Sequence, residues 1–233
     1  MLVAVTSVKS GGATTFAAAL AAVWPGEPAL LIEADPAGGD LGGWHRVPDN
    51  PGLASLANAC RSRHVDLAEH LTALPFGVDA VLAAAGRPQA SAAIGLLADT
   101  DPARWAKERP TVLDVGRLEP ASPALPLLEL ADAVLVVAGG DVLSLLRVSL
   151  AEMPVDRARL VTVGRLGHPR EELAALIPVP LIAGMPWDRH SAEIIAGSRR
   201  AGKAWTWVGL PATARGLAAS LTRQGNSVGG DDR

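Results

Sequence analysis

Short uninterrupted apolar runs alternate with alanine- and leucine-rich stretches of helical length along almost the whole chain. Strands and helices taken in turn in this way imply a parallel sheet wrapped by helices. The runs predict strands at 2–7, 29–34, 78–83, 111–115, 132–138, 159–163 and 180–184. In Ala29-Leu30-Leu31-Ile32 and Ala133-Val134-Leu135-Val136-Val137 no polar residue interrupts the run, which requires cover on both faces and a central place in the sheet. Helices are expected at 13–23, 52–60, 65–73, 89–98, 123–130, 141–151, 170–177, 189–200 and 212–223, with ends punctuated by Pro25, Gly26, Pro51, Pro88, Pro123 and Pro169. The segment 225–233 is rich in glycine and polar residues, has almost nothing to bury, and reads as a disordered tail. The expected fold class is α/β: one domain over 1–224, a mostly parallel sheet with helices on both faces.

Composition narrows the function. With 233 residues, 49% of them hydrophobic, the chain can build one large core. Its 21 basic and 24 acidic residues leave a net charge of -3, which excludes a protein that coats nucleic acid by bulk charge. The charge is uneven: residues 1–155 hold 10 basic and 17 acidic groups, and 156–233 hold 11 and 7. Nonspecific DNA contact would therefore fall to Arg199, Arg200, Lys203, Arg215 and Arg223, although cations so scattered more often form a solvated face. The single cysteine, Cys60, excludes an intrachain disulfide and a cysteine zinc site, and fits a reducing cytoplasm. No run of 18 apolar residues escapes a charge, glycine or proline, so neither a membrane span nor a secretory leader is expected. His45, His64, His70, His168 and His190 show no metal-ligand spacing, and no GxSxG elbow is present.

The segment Leu2 to Phe16 carries the most chemistry. An apolar strand leads through Lys9-Ser10-Gly11-Gly12-Ala13-Thr14-Thr15 into a helix, a turn that aims backbone N–H groups and a helix amino terminus at one spot and so suits a phosphate. Neither GxGxxG nor the full GxxxxGK[ST] is present, and a tight connection without a ligand would have the same glycine content.

Further along, Leu31-Ile32-Glu33-Ala34-Asp35-Pro36 closes the second strand and Thr111-Val112-Leu113-Asp114 the fourth, followed by Ala131-Asp132-Ala133-Val134-Leu135-Val136-Val137 and Val179-Pro180-Leu181-Ile182-Ala183-Gly184-Met185-Pro186-Trp187-Asp188. In this order the segments resemble the loop, DxDPxGN segment, Walker B strand and late "gvPvlg.iP.d" segment of the MinD/ParA family of deviant Walker-type P-loop ATPases, SIMIBI class, over nearly the whole chain. The resemblance implies a P-loop NTPase-like fold, ATP and Mg²⁺ as cofactors, a homodimer, and an unidentified protein partner or cargo. It implies no membrane anchor, because the last helix leads into a glycine-rich acidic tail rather than the amphipathic helix with which MinD ends.

Residue by residue, the resemblance places Lys9 at the signature lysine, which reaches phosphate across the dimer, and Asp35 at the residue that orients the attacking water. Ser10, Gly11, Gly12, Ala13, Thr14 and Thr15 stand for the phosphate loop, Pro186 and Asp188 for the base-side segment, and Asp114 with Thr14 or Thr15 for the metal shell. The loop departs from the pattern in having no lysine after Lys9. Without a gap Thr14 takes the place of the P-loop lysine and Thr15 that of the metal-binding hydroxyl; anchored on Leu20-Ala21, Ala13 and Thr14 take them, in a loop one residue shorter. Losing that charge-assisted contact costs about 1.5 to 3 kcal/mol, roughly tenfold to a hundredfold in affinity. Arg117, after Asp114, is a candidate for the missing charge as well as an ordinary surface arginine. Asp35 before Pro36 also fits a turn cap. Gly164 stands where the family commonly reads adenine with an asparagine, and Trp187 suits either base stacking or packing. A degenerate, catalytically silent scaffold is the competing reading.

Overall fold

The computed structural model describes residues 1–62, 65–151, 153, 154 and 156–228, with the side chains of 174–176 and 225–228 excepted. Eight strands form one sheet: β1 (Leu2–Ser7), β2 (Leu30–Glu33), β3 (Thr72–Leu74), β4 (Val78–Val81), β5 (Thr111–Arg117), β6 (Ala133–Gly139), β7 (Ala158–Val163) and β8 (Leu181–Met185). Their order is β3-β4-β2-β5-β1-β6-β7-β8. Every pairing is parallel except β3 with β4. All six residues of β1 are buried, as the uninterrupted apolar run requires of a strand covered on both faces.

The connecting helices are α1 (Ala13–Ala22), α2 (Leu41–His45), α3 (Leu53–Ala59), α4 (Arg87–Ala98), α5 (Leu125–Leu130), α6 (Val142–Ser149), α7 (Arg170–Leu176), α8 (Arg189–Ile195) and α9 (Gly209–Val228). On one face, Leu2 and Ala4 of β1 pack with Leu53, Ile94, Leu127, Leu145 and Leu173 from α3 to α7. On the other, Val3 and Val5 pack with Phe16 and Leu20 of α1, Leu41 of α2, Ile194 of α8 and Ala214 of α9. The run Ala17-Ala18-Ala19 is wholly buried, and small side chains let α1 lie close against the sheet and α9.

Several elements differ from expectation; the helix expected at 189–200, for one, ends at Ile195. The helix expected at 65–73 is a 3-10 turn, Leu67–His70, followed by β3. The reason lies beyond that window: Gly77, at φ +87°, turns the chain so that Thr72, Ala73 and Leu74 pair antiparallel with β4. The five-residue α2 is too short to show a helical period in sequence. The last helix starts three residues earlier and ends five later than 212–223. Of the tail read from 225, residues 229–233 lie outside the described residues, as does His64. Among the described residues no helix is long and apolar enough to cross a membrane.

Candidate functional site

The parallel strands all end at one edge of the sheet, where α/β folds leave their ligand crevice. There Val8 to Gly12 join β1 to α1. Gly11 lies so close to β6 that a Cβ would come 2.9 Å from the Val137 carbonyl oxygen. Gly12 takes the left-handed conformation, φ 79° and ψ 33°, as the residue before the helix, and offers no side-chain cap. The first-turn N–H groups of α1 therefore face the crevice without a side-chain acceptor, the arrangement that attracts an anion. Lys9 and Ser10 are exposed, Thr14 and Thr15 half-buried, and Ala13 buried.

Asp114 lies on β5 between Val5 of β1 and Glu33 of β2, 2% exposed. Burial pushes its carboxyl up to about 7, against a hydrogen bond from the Thr14 side chain and another from the Gly116 N–H at 3.1 Å; the neighbouring Glu33 and Asp35 charges add to the rise. Of the loop hydroxyls, Thr14 is the one whose interaction works against the rise at Asp114.

Glu33 has a task the sequence does not announce. Its Oε1 accepts from the N–H groups of Asp40 (2.9 Å) and Leu41 (2.8 Å), and its Oε2 from that of Ala83 (3.1 Å). One buried carboxylate thereby ties the end of β2 to the start of α2 and to the chain leaving β4. Burial raises it to about 7 even against those three hydrogen bonds.

Asp35 accepts from the Ala37 N–H at 2.7 Å, the turn that a residue before proline favours, and burial raises its carboxyl. Its carboxylate rests on Gly116, which sits at φ +63° and where any Cβ would overlap it. Asp35, Arg87, Ser91, Arg117 and Glu119 line a cleft of about 330 Å³. On the other side of the loop, Lys9, Ser10 and Gly11 share a cleft of about 310 Å³ with Gly139, Arg147, Val163 and Trp187. The late segment is therefore brought to the loop, with Trp187 82% exposed beside Pro186.

Asp188 is engaged elsewhere. It accepts from the Ser191 N–H and hydroxyl and from the Leu210 N–H, capping α8 and fixing the start of α9; partial burial raises its carboxyl, but these bonds bring it below the usual range. Of the basic carboxyl-terminal residues, Arg199 is paired with Glu193 at 2.9 Å and Arg215 lies over the Trp207 ring. His45 bonds the Ile195 carbonyl and His70 the Ser55 hydroxyl, packing roles both. Among the described residues no three His, Cys, Asp or Glu side chains form a metal cluster.

The architecture matches solved structures along almost its full length. A ParA family ATPase from Chlorobium tepidum TLS is 18% identical, with 94% of this chain and 98% of that one covered and a TM-score of 0.72. The cell division ATPase MinD of Pyrococcus furiosus is also 18% identical, covering 96% and 98% with a TM-score of 0.72. The septum site-determining protein MinD of Pyrococcus horikoshii OT3, complexed with Mg-ADP, is 17% identical, covering 97% and 98% at 0.69. The chain carries the fold of the ParA and MinD ATPases. No family model matches the sequence, and no curated protein does either.

Within this fold the acidic side of the site fits Mg²⁺. The ion prefers hard oxygen ligands and is usually held by one or two carboxylates together with nucleotide phosphates, which is what Thr14 and Asp114 leave room for. The loop fits phosphate through its backbone and helix terminus, and it carries no lysine after Lys9.

Proposed function

We propose that the chain is a MinD/ParA-like nucleotide-dependent dimerisation switch of the cytoplasm, acting on a protein partner or cargo, with ATP and Mg²⁺ bound weakly. The placement of Asp114, buried at the end of β5 where α1 packs on that strand, carries this reading. A carboxylate desolvated at a strand end is costly to keep unless a cation or hydrogen bonds compensate it, and Thr14 in the first turn of α1 would add a second hard oxygen ligand for Mg²⁺. Bound Mg²⁺ would neutralise phosphate charge. The chain's own residues would hold phosphate on the N–H groups after Gly12, orient water at Asp35, and present Lys9 toward a second subunit. Pro186 would border the base; Asp188 would support that segment by holding α8. The likeness of fold to the MinD of P. horikoshii, complexed with Mg-ADP, supports the reading.

Titration of the protein with an N-methylanthraniloyl ATP analogue, with and without Mg²⁺, tests the reading. Saturable, magnesium-dependent binding is expected, and Asp114→Asn should abolish the magnesium dependence while leaving the fold intact. No saturable binding at millimolar nucleotide would remove the switch. The second reading, a silent scaffold, draws on other observations: Ala13 is uncharged and buried, and α6 exposes Val142, Leu143 and Leu146 beside Leu150, an apolar face that another protein could cover.

A further inference from the structure

The charge missing from the loop after Lys9 has a candidate replacement on β5, the strand next to β1. Strand β5 carries one extra residue relative to β1: Val5 pairs with Asp114, but the next pair is Thr6 with Gly116, so Val115 is bulged. Bulges of this kind re-aim a side chain near a site. Here the bulge is held at both ends, because the Gly116 N–H donates to Asp114 Oδ1 and the buried Thr6 hydroxyl donates to the Gly116 carbonyl at 3.1 Å. Its effect is to set Arg117 level with Ser7, the residue from which the glycine loop departs, and the Leu118 N–H donates to the Ser7 carbonyl at 2.7 Å to fix that position.

Arg117 is exposed, lines the same cleft as Asp35, and makes no hydrogen bond or ion pair with any described residue. Arg87, in the same cleft, is drawn to Glu119 at 3.7 Å. Lys9 and Arg147 line the other cleft, on the β6 side of the loop. We propose that Arg117 supplies, from within the same subunit, the positive charge for the terminal phosphate of a nucleoside triphosphate, and so makes the site prefer triphosphate to diphosphate. Guanidinium suits that task because its fixed fork matches phosphate oxygens. The inference rests on the switch reading above.

The test compares binding of the N-methylanthraniloyl derivatives of ATP and ADP, with Mg²⁺, to wild type, Arg117→Ala and Arg117→Lys. Arg117→Ala should weaken the triphosphate about tenfold to a hundredfold and change the diphosphate by less than about twofold. Arg117→Lys should recover part of the loss. Equal loss of both nucleotides, or no loss of either, would overturn the assignment. If wild type binds neither nucleotide, the switch reading itself fails and this assignment with it; if wild type binds and Arg117→Ala matches it, only the assignment of Arg117 fails. A thermal melt of each variant controls for folding.

Discussion

The two sides of the crevice are built differently. On the β2–β5 side, Glu33, Asp35 and Asp114 are desolvated and bound by backbone N–H groups, so their positions are fixed before any ligand arrives. On the loop side, Lys9 and Ser10 are exposed and Ala13 has no polar group to place. Asp114 feels the charges of both Glu33 and Asp35, which favours a proton or a cation beside it. The acid side thus favours positive charge, and the loop carries no cation after Lys9. That difference argues for a ligand bringing its own cation, and for an arginine outside the loop.

The largest effect expected from breaking the acid side is Glu33→Leu. It leaves the N–H groups of Asp40, Leu41 and Ala83 without their acceptor, and at about 1 to 3 kcal/mol for each unsatisfied group the loss of stability should be about 3 to 9 kcal/mol. Glu33→Gln keeps an acceptor oxygen and should lose less than half of that. Urea denaturation measures both. A Glu33→Leu protein as stable as wild type would mean that these three N–H groups find other partners, and that the acid side is not rigid.

What could be read from the sequence was whatever depends on neighbours in the chain. The uninterrupted runs of β2 and β6 announce central strands, and Gly11-Gly12 after β1 announces the phosphate-type turn, because pattern and turn chemistry are local. The hinge residues of the site are not local. The role of Glu33 depends on Ala83, fifty positions away, and that of Gly116 on the register between β1 and β5. β3 escaped because three residues on an edge strand carry too little periodicity to outweigh the helical spacing around them.

A gentler probe of the same side is pH. Folding raises Glu33 from 4.5 and Asp114 from 3.8 to about 7, so between those limits the folded state binds more protons than the unfolded one. Stability must then fall as pH rises from about 5 to 7, by on the order of a few kcal/mol, and level off above. Asp141 and Glu193, held low by Ser144 and by Arg199, act with the opposite sign and only in more acid solution. Melts across pH 5 to 8 in the absence of Mg²⁺ should show the decline, and Asp114→Asn should reduce it while leaving the part due to Glu33. A stability that climbs over this range would refute the desolvation of these carboxylates.

The smallest change is to restore what the loop lacks. Ala13→Lys puts an ammonium in the first turn of α1, beside Thr14. Without ligand it should lower stability by about 1 to 3 kcal/mol, since Ala13 is buried and a larger, charged side chain there must be accommodated and desolvated as well as oppose the helix dipole. With ligand, a charge-assisted contact to phosphate should tighten Mg²⁺-dependent ATP binding about tenfold to a hundredfold. Isothermal titration of the variant against wild type reads both directions of the argument. Tighter binding in Ala13→Lys, retained when Arg117→Ala is added, would show that the two cations answer the same demand from Asp114 and the phosphates. Unchanged binding would mean that the turn after β1 does not hold phosphate at all, and the acids of β2 and β5 would then have to be explained by their work in the fold alone.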